Sequence, residues 1–327
     1  MRTSAMKSLP ALVALLAFAP GGTAAAQTLA PLPRTQLCWQ GKVDVPRLAL
    51  PGGYSLAVAK DPKNPACDVD VQAPDGTTAA TWGDAEVFLS AATGAGVTDD
   101  GTSAVVLIGE SGGMHCCESS AIIRLGPRPK RLWTFDIWAG MGGEPPPADM
   151  VTLESEDFSR DPKTGRVAII IEDGDIAATE LPRGYWVSVP MAFEIAGPAF
   201  ADVSRDRISF RTLARQARAQ LQPAGLAEFM AANPALDACY RQFPPDGCPA
   251  ALPSRSDAYW NAKVGVFTVI LDDLHSGDLS LAKSDLAAYW PAADRARMQA
   301  LLLQDYCHQN PRVGFHLPAP PECAGVP

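Results

Sequence analysis

Residues 105–125 read VVLIGESGGMHCCESSAIIRL, and two kinds of chemistry are spelled out within them. Gly109-Glu110-Ser111-Gly112-Gly113 fits G-x-S-x-G, the elbow that exposes a nucleophilic serine between a strand and a helix. His115-Cys116-Cys117 follows two residues later. Thiolates, an imidazole and the adjacent Met114 thioether suit copper(I) or zinc, whereas two oxidised cysteines would form a disulfide. A serine hydrolase using Ser111 and a thiol-redox or soft-metal centre on His115, Cys116 and Cys117 are the two reactive readings of this stretch.

The flanking elements do not support the first of these. An elbow requires a strand that passes through the serine directly into a helix. Residues 104–108 supply a strand-like run, but residues 121–125 form another strand-like run with no helix-length pattern between them. The order His, Asp, Ser also fails, because His115 is the first histidine and lies after the serine, while His275, His308 and His316 belong to the C-terminal region. Ser111 therefore reads as a polar residue in a Gly-rich turn, and no catalytic residue and no cofactor is assigned.

Three arrangements of His-Cys-Cys stand beside one another. Cys116 and Cys117 form a vicinal disulfide, or each finds a separate partner such as Cys38 or Cys67, or both remain thiolates that bind metal with His115. Adjacent Cα atoms lie about 3.8 Å apart, below the usual disulfide range of about 4.4–6.8 Å, so a vicinal bond needs a distorted peptide. Adjacent side chains of a strand point to opposite faces, so joint chelation needs a bent backbone.

Residues 1–26 carry Arg2 and Lys7, an apolar run over residues 9–19 and a small-residue end at Ala24-Ala25-Ala26. That pattern predicts a cleaved signal peptide, too short to span a membrane, and hence an exported protein, periplasmic or extracellular. Loss of residues 1–26 removes two cations and takes the net charge from −9 to −11. Such acidity argues against nucleic acid, whose phosphates need clustered Lys and Arg. No later segment approaches membrane-spanning length.

Eight cysteines in an exported chain imply disulfides: Cys38, Cys67, Cys116, Cys117, Cys239, Cys248, Cys307 and Cys323. Spacing suggests Cys38–Cys67 around the first β region, Cys239–Cys248 around Pro-Pro-Asp-Gly, and Cys307–Cys323 around a proline-rich tail, which leaves Cys116 with Cys117. Loops of these sizes would each contribute roughly 3 kcal/mol.

Short apolar runs at residues 54–59, 104–108, 121–125, 132–138, 167–171 and 185–195, bounded by Gly, Pro and Asp, predict strands too closely spaced for crossover helices. From residue 209 onward helix-length patterns appear at 209–221, 226–233, 257–275 and 279–305, the last broken near Trp290-Pro291. In the third, Tyr259, Lys263, Val266, Ile270 and Leu274 recur at helical spacing, with Ser256 or Asp257 as the cap. The fold class expected is α+β: a signal peptide at 1–26, a β-rich domain at 27–208 with propeller-like or partly closed antiparallel sheets, and a helical domain at 209–327 ending in the tied proline-rich tail. Asp272, Asp273 and His275 have the types of a metal cluster, but consecutive helical side chains diverge, and a solvated helix end is expected instead. Trp133, Trp138 and Trp186 are expected in the core, and Glu172-Asp173-Gly174-Asp175 in an acidic turn.

One internal echo is present. With Asp99 set on Asp161, residues 104–108 fall on 166–170, Glu110 on Glu172, Ser111 on Asp173 and Gly112 on Gly174. Together with Ser111-Gly112-Gly113-Met114-His115-Cys116-Cys117, the Asp/Gly-rich loop at 98–103 and "VAIIIEDGD", this resembles exported bacterial proteins with degenerate FG-GAP or VCBS-like repeats that carry an SGGxHCC element. The resemblance covers roughly residues 85–205. It implies a propeller-like or partly closed β domain used for binding or scaffolding. Met114 replaces the usual small residue, and neither loop keeps the acidic ladder that calcium needs, with Lys163 opposing a cation. The reading that results is an exported non-enzymatic binding or envelope-scaffold protein whose partner is an unknown protein or glycan of the cell envelope.

Overall fold

Residues 104–108, Ala-Val-Val-Leu-Ile, have no exposed position, and the fold follows from how the chain hides both faces of that strand. In the computed structural model the described residues are 32–59, 66–110, 118–126, 130–136, 150–151, 156–173, 180–182, 184–185, 187, 189–197, 199–241, 244–307 and 319–325.

Three sheets are built from strands β1 Arg34–Trp39, β2 Lys42–Val43, β3 Arg47–Ala49, β4 Ser55–Ala59, β5 Cys67–Gln72, β6 Thr78–Asp84, β7 Glu86–Ser90, β8 Ala104–Glu110, β9 Glu118–Arg124, β10 Lys130–Asp136, β11 Met150–Val151, β12 Glu156–Arg160, β13 Val167–Asp173, β14 Val189–Ala196 and β15 Ala199–Asp202. A seven-stranded sheet has the order β11-β10-β9-β8-β7-β1-β2, and two four-stranded sheets run β3-β4-β5-β6 and β12-β13-β14-β15. Pairing is antiparallel except between β10 and β11. The β1–β2 hairpin closes through Gln40 and Gly41, both at positive φ (44° and 74°), the turn whose twist matches antiparallel strands.

Alternation along β8 sends its side chains to two different cores. Val105 and Leu107, with Ala121 and Ile123 of β9, pack against Leu56, Val69, Val71 and Trp82 of the β3–β6 sheet. Ala104, Val106 and Ile108 face the opposite way, onto Val167, Ile169, Ile171, Met191, Phe193 and Ile195 of the β12–β15 sheet. Strand β13 repeats the device one layer further on, with Ala168 and Ile170 in a third core against helices. The two strands of the echo share a continuous apolar run because each is covered on both faces. Among the described residues the sheets form no closed barrel and no propeller; they stack face to face, with helices as a fourth layer.

The helices are α1 Ser204–Arg207, α2 Phe210–Gln220, α3 Pro223–Ala231, α4 Asp257–His275, α5 Leu279–Tyr289 and α6 Arg295–Cys307. Pro223 opens α3, so this helix starts three residues before the expected residue 226. Ser256 caps α4, its Oγ accepting from the Tyr259 N–H at 3.1 Å. Helix α5 ends at Tyr289 because the residue before Pro291, Trp290, is extended. Helix α4 is the hub: Tyr259, Val266, Phe267, Ile270 and Leu274 all join the core shared with the β12–β15 sheet, so the apolar core runs without a break across residue 208.

Candidate functional site

Ser111, His115, Cys116 and Cys117 lie outside the described residues, as do Trp138, Trp186, His308 and His316. Their immediate supports are described. Glu110 pairs with Glu118, so β8 and β9 form a hairpin around residues 111–117. Strand β8 is antiparallel to both neighbours, β7 and β9, whereas the elbow belongs to a strand that feeds a helix. Gly109 is a paired strand residue, opposite Val87 and Ser119. A Cβ there would meet the Trp82 ring at 2.6 Å and the Asp84 Cβ at 2.7 Å. The first glycine of G-x-S-x-G thus serves the packing of the two sheets. Ser119 Oγ donates to Asp84 Oδ2 at 2.9 Å across the same junction.

On the other face of the sheet, next to the same hairpin, a polar shelf is exposed. Trp39 stands opposite Glu86, and Glu86 opposite Glu110, so these three side chains share one face in a row across β1, β7 and β8. Trp39 is the one exposed large apolar side chain among the described residues, at 48 %. Gln36 Nε2 donates to Glu86 Oε1 at 2.6 Å, and Arg34 lies 3.7 Å from Glu110. Partial burial and then the Glu110 charge push the Glu86 carboxyl above its ordinary value. An indole face beside a carboxylate, an amide and a second carboxylate offers one apolar plane and several hydrogen-bonding groups to a ligand. Sequence reasoning missed this shelf because Trp39, Glu86 and Glu110 are distant in sequence and only the register joins them.

The three cysteine pairs suggested by spacing are formed. Cys38–Cys67 joins β1 to β5 with Cα atoms 6.0 Å apart, Cys239–Cys248 spans 5.7 Å and Cys307–Cys323 spans 5.5 Å. The first staples two sheets together, and the last ties α6 to the segment Pro321–Cys323. The acidic loops of the echo are internally bonded. Asp100 Oδ1 accepts from Thr102 N and Thr98 Oγ1, and Asp161 accepts from Lys163 N and Thr164 Oγ1. Those bonds hold the Asp161 carboxyl below its ordinary value.

The helical layer contains two buried ionic clusters. In the first, Lys263 is wholly buried and its Nζ donates to Asp237 Oδ2 at 2.9 Å and to the Glu180 carbonyl at 2.9 Å. Arg255 pairs with Asp237, and Arg297 grips both Glu180 oxygens and also Asp294. The Tyr259 hydroxyl donates to Asp237, and the Trp290 indole to Asp294 at 2.9 Å. Rings of Trp260, Phe267 and Trp290 lie 5.7–5.9 Å from Nζ. Burial pulls the Lys263 ammonium down from its ordinary value against the pull of Asp237 and Glu180, and burial pushes the Tyr259 hydroxyl up. The cluster fastens α4 to residue 180 and to the 3₁₀ segment Pro234–Tyr240.

The second cluster corrects an expectation. Asp272 and Asp273 are not a solvated helix end: they are 2 % and 0 % exposed, because α2 and α5 cover the last turn of α4. His275 is also buried, packed between Phe210 and Tyr306. Arg218 of α2 donates to Asp273 and to Asp285 of α5, the Nε–Asp285 bond measuring 2.9 Å. Asp272 Oδ2 and Asp273 Oδ1 are buried with no hydrogen-bond partner. Burial, then the neighbouring Asp273, pushes the Asp272 carboxyl up to about 8; burial and a hydrogen bond with Asp285 likewise raise Asp273. Among the described residues no group of three or more His, Cys, Asp or Glu is arranged to hold a metal ion, and no helix is long and apolar enough to cross a membrane.

Comparison with protein-family models, with curated proteins and with solved structures returned no match.

Proposed function

We propose that this is an exported, non-enzymatic binding protein of the cell envelope that holds a glycan on the shelf formed by Trp39, Gln36, Glu86 and Glu110. The observation that carries this reading is the exposed Trp39 indole in register with Glu86 and Glu110. An indole covers the apolar face of a sugar ring, while carboxylates and an amide accept and donate to its hydroxyls. Export is supported by the leader-like residues 1–26 and by the disulfides. The FG-GAP or VCBS-like resemblance, which implies a β domain used for binding or scaffolding, agrees with this reading.

The test is a glycan array, followed by titration of the best oligosaccharide against the native protein and Trp39→Ala. Expected is at least a tenfold loss of affinity in the variant with an unchanged circular dichroism spectrum, since an exposed substitution changes stability by no more than about 0.5 kcal/mol. Equal binding by both proteins, or none by the native one, would overturn the proposal. A thiol count on native and denatured protein tests the competing thiol or metal role of His115, Cys116 and Cys117. A fluorophosphonate probe tests Ser111.

A further inference from the structure

Where α2, α4 and α5 pack together, Arg218 from α2 bridges Asp273 from α4 and Asp285 from α5, and the neighbouring Asp272 of α4 is buried with its Oδ2 unpartnered. Fully ionised, that group carries a surplus of two negative charges in a place that water does not reach at Asp272 Oδ2 or Asp273 Oδ1. Burying unpaired charge costs several kcal/mol, and a carboxyl avoids that cost by keeping its proton. Several other charged groups on the neighbours of α4 point away from this cluster. Glu228 of α3 accepts from Ser256, Lys283 of α5 lines an apolar cleft with Ile270 and Leu274, Arg297 of α6 holds Glu180 and Asp294, and Glu194 of β14 pairs with Arg166 and Arg207. Arg211 of α2 pairs with Asp278 at the surface, and Arg205 of α1 donates to the His275 carbonyl.

We propose that the Arg218–Asp272–Asp273–Asp285 cluster is a proton-held clasp. With two protons bound it is neutral and closes α4 onto α2 and α5, and loss of those protons in alkaline surroundings loosens the three helices. One proton sits on Asp273, which shares Arg218 with Asp285. The second sits on Asp272. The sign follows from linkage. The ordinary aspartate titrates at 3.8 and the folded Asp272 at about 8, so the stability this proton supplies is complete below pH 3.8, declines steadily as pH rises and is gone above about pH 8. This inference stands apart from the glycan shelf, which lies on another layer.

Two measurements on the full mature chain test it. In the native protein with ¹³C-labelled aspartate carboxyls, Asp272 and Asp273 should titrate above pH 6; titration of both near pH 4 overturns the clasp. In urea unfolding, the unfolding equilibrium constant of the native protein should rise at least ~10-fold more between pH 5.5 and pH 9 than that of Asp272→Asn, which mimics the protonated carboxyl. Amide hydrogen exchange in α2 and α5, corrected for the intrinsic rate, should quicken over the same interval in the native protein and much less in the variant. Superimposable pH profiles for the two proteins overturn the proposal.

Discussion

Helix α4 meets one ionic cluster near its start and another in its last turn, and the two differ in their balance of charge. Around Lys263 there are three cations, Lys263, Arg255 and Arg297, and three anions, Asp237, Glu180 and Asp294. In the last turn Arg218 is the one cation paired with Asp273 and Asp285, and Asp272 lies buried next to them in the chain with an unpartnered oxygen. Both clusters are buried by the same helical layer, so burial alone does not decide their behaviour. Where each charge has a partner, the network acts as a fixed joint between α4, residue 180 and the Pro234–Tyr240 segment. Where partners are too few, protons make up the difference, and the joint becomes sensitive to pH.

The largest effect should come from breaking the balanced cluster. Lys263→Met removes the buried cation that Asp237 and Glu180 share and leaves them to Arg255 and Arg297, and should cost about 3–5 kcal/mol in urea unfolding at pH 7. A loss below about 1 kcal/mol would mean that Arg255 and Arg297 suffice, and the comparison would fail. Removing the lone cation of the other cluster should cost less, because its carboxyls can answer by taking up protons. Arg218→Met should lose ~2 kcal/mol at pH 8, less at pH 5, and the titration of Asp273 should move further up. An equal loss at both pH values would show that Arg218 acts only by packing. Ser256→Ala shortens no ion pair in either cluster but removes the cap of α4, and should cost about 1 kcal/mol with no pH dependence between pH 6 and pH 9. That variant separates general weakening of α4 from the titration of its last turn.

Much of the secondary structure was legible in residue order, and the reasons are local. The run at 167–171 and the stripe Tyr259, Lys263, Val266, Ile270 and Leu274 have the periods of a strand and of a helix, and each forms one. Pro291 marked the break between α5 and α6, and short loops marked the pairs Cys239–Cys248 and Cys307–Cys323. The weakly apolar strand Thr78–Asp84 was harder to see because Trp82 is its one buried position. The candidate site was the least legible part. The motif at 109–113 drew attention to Ser111, yet Gly109 answers to Trp82, which lies 27 positions away in the chain. A lysine inside an apolar stripe was the one visible sign of a buried cluster. Nothing local distinguished it from a lysine whose amine reaches water.

Residue order by itself determined the most strongly periodic strands and helices and where proline and glycine interrupt them. Those features depend on interactions within a few residues. Tertiary structure alone decided that β8 and β13 are covered on both faces, that Trp39 shares a row with Glu86 and Glu110, and that Asp272 and Asp273 are roofed by α2 and α5. The physical reason is that burial and charge pairing are properties of neighbours in space. Aspartate in a last helical turn is ordinarily solvated, and here it is the stacking of a fourth layer that removes the water.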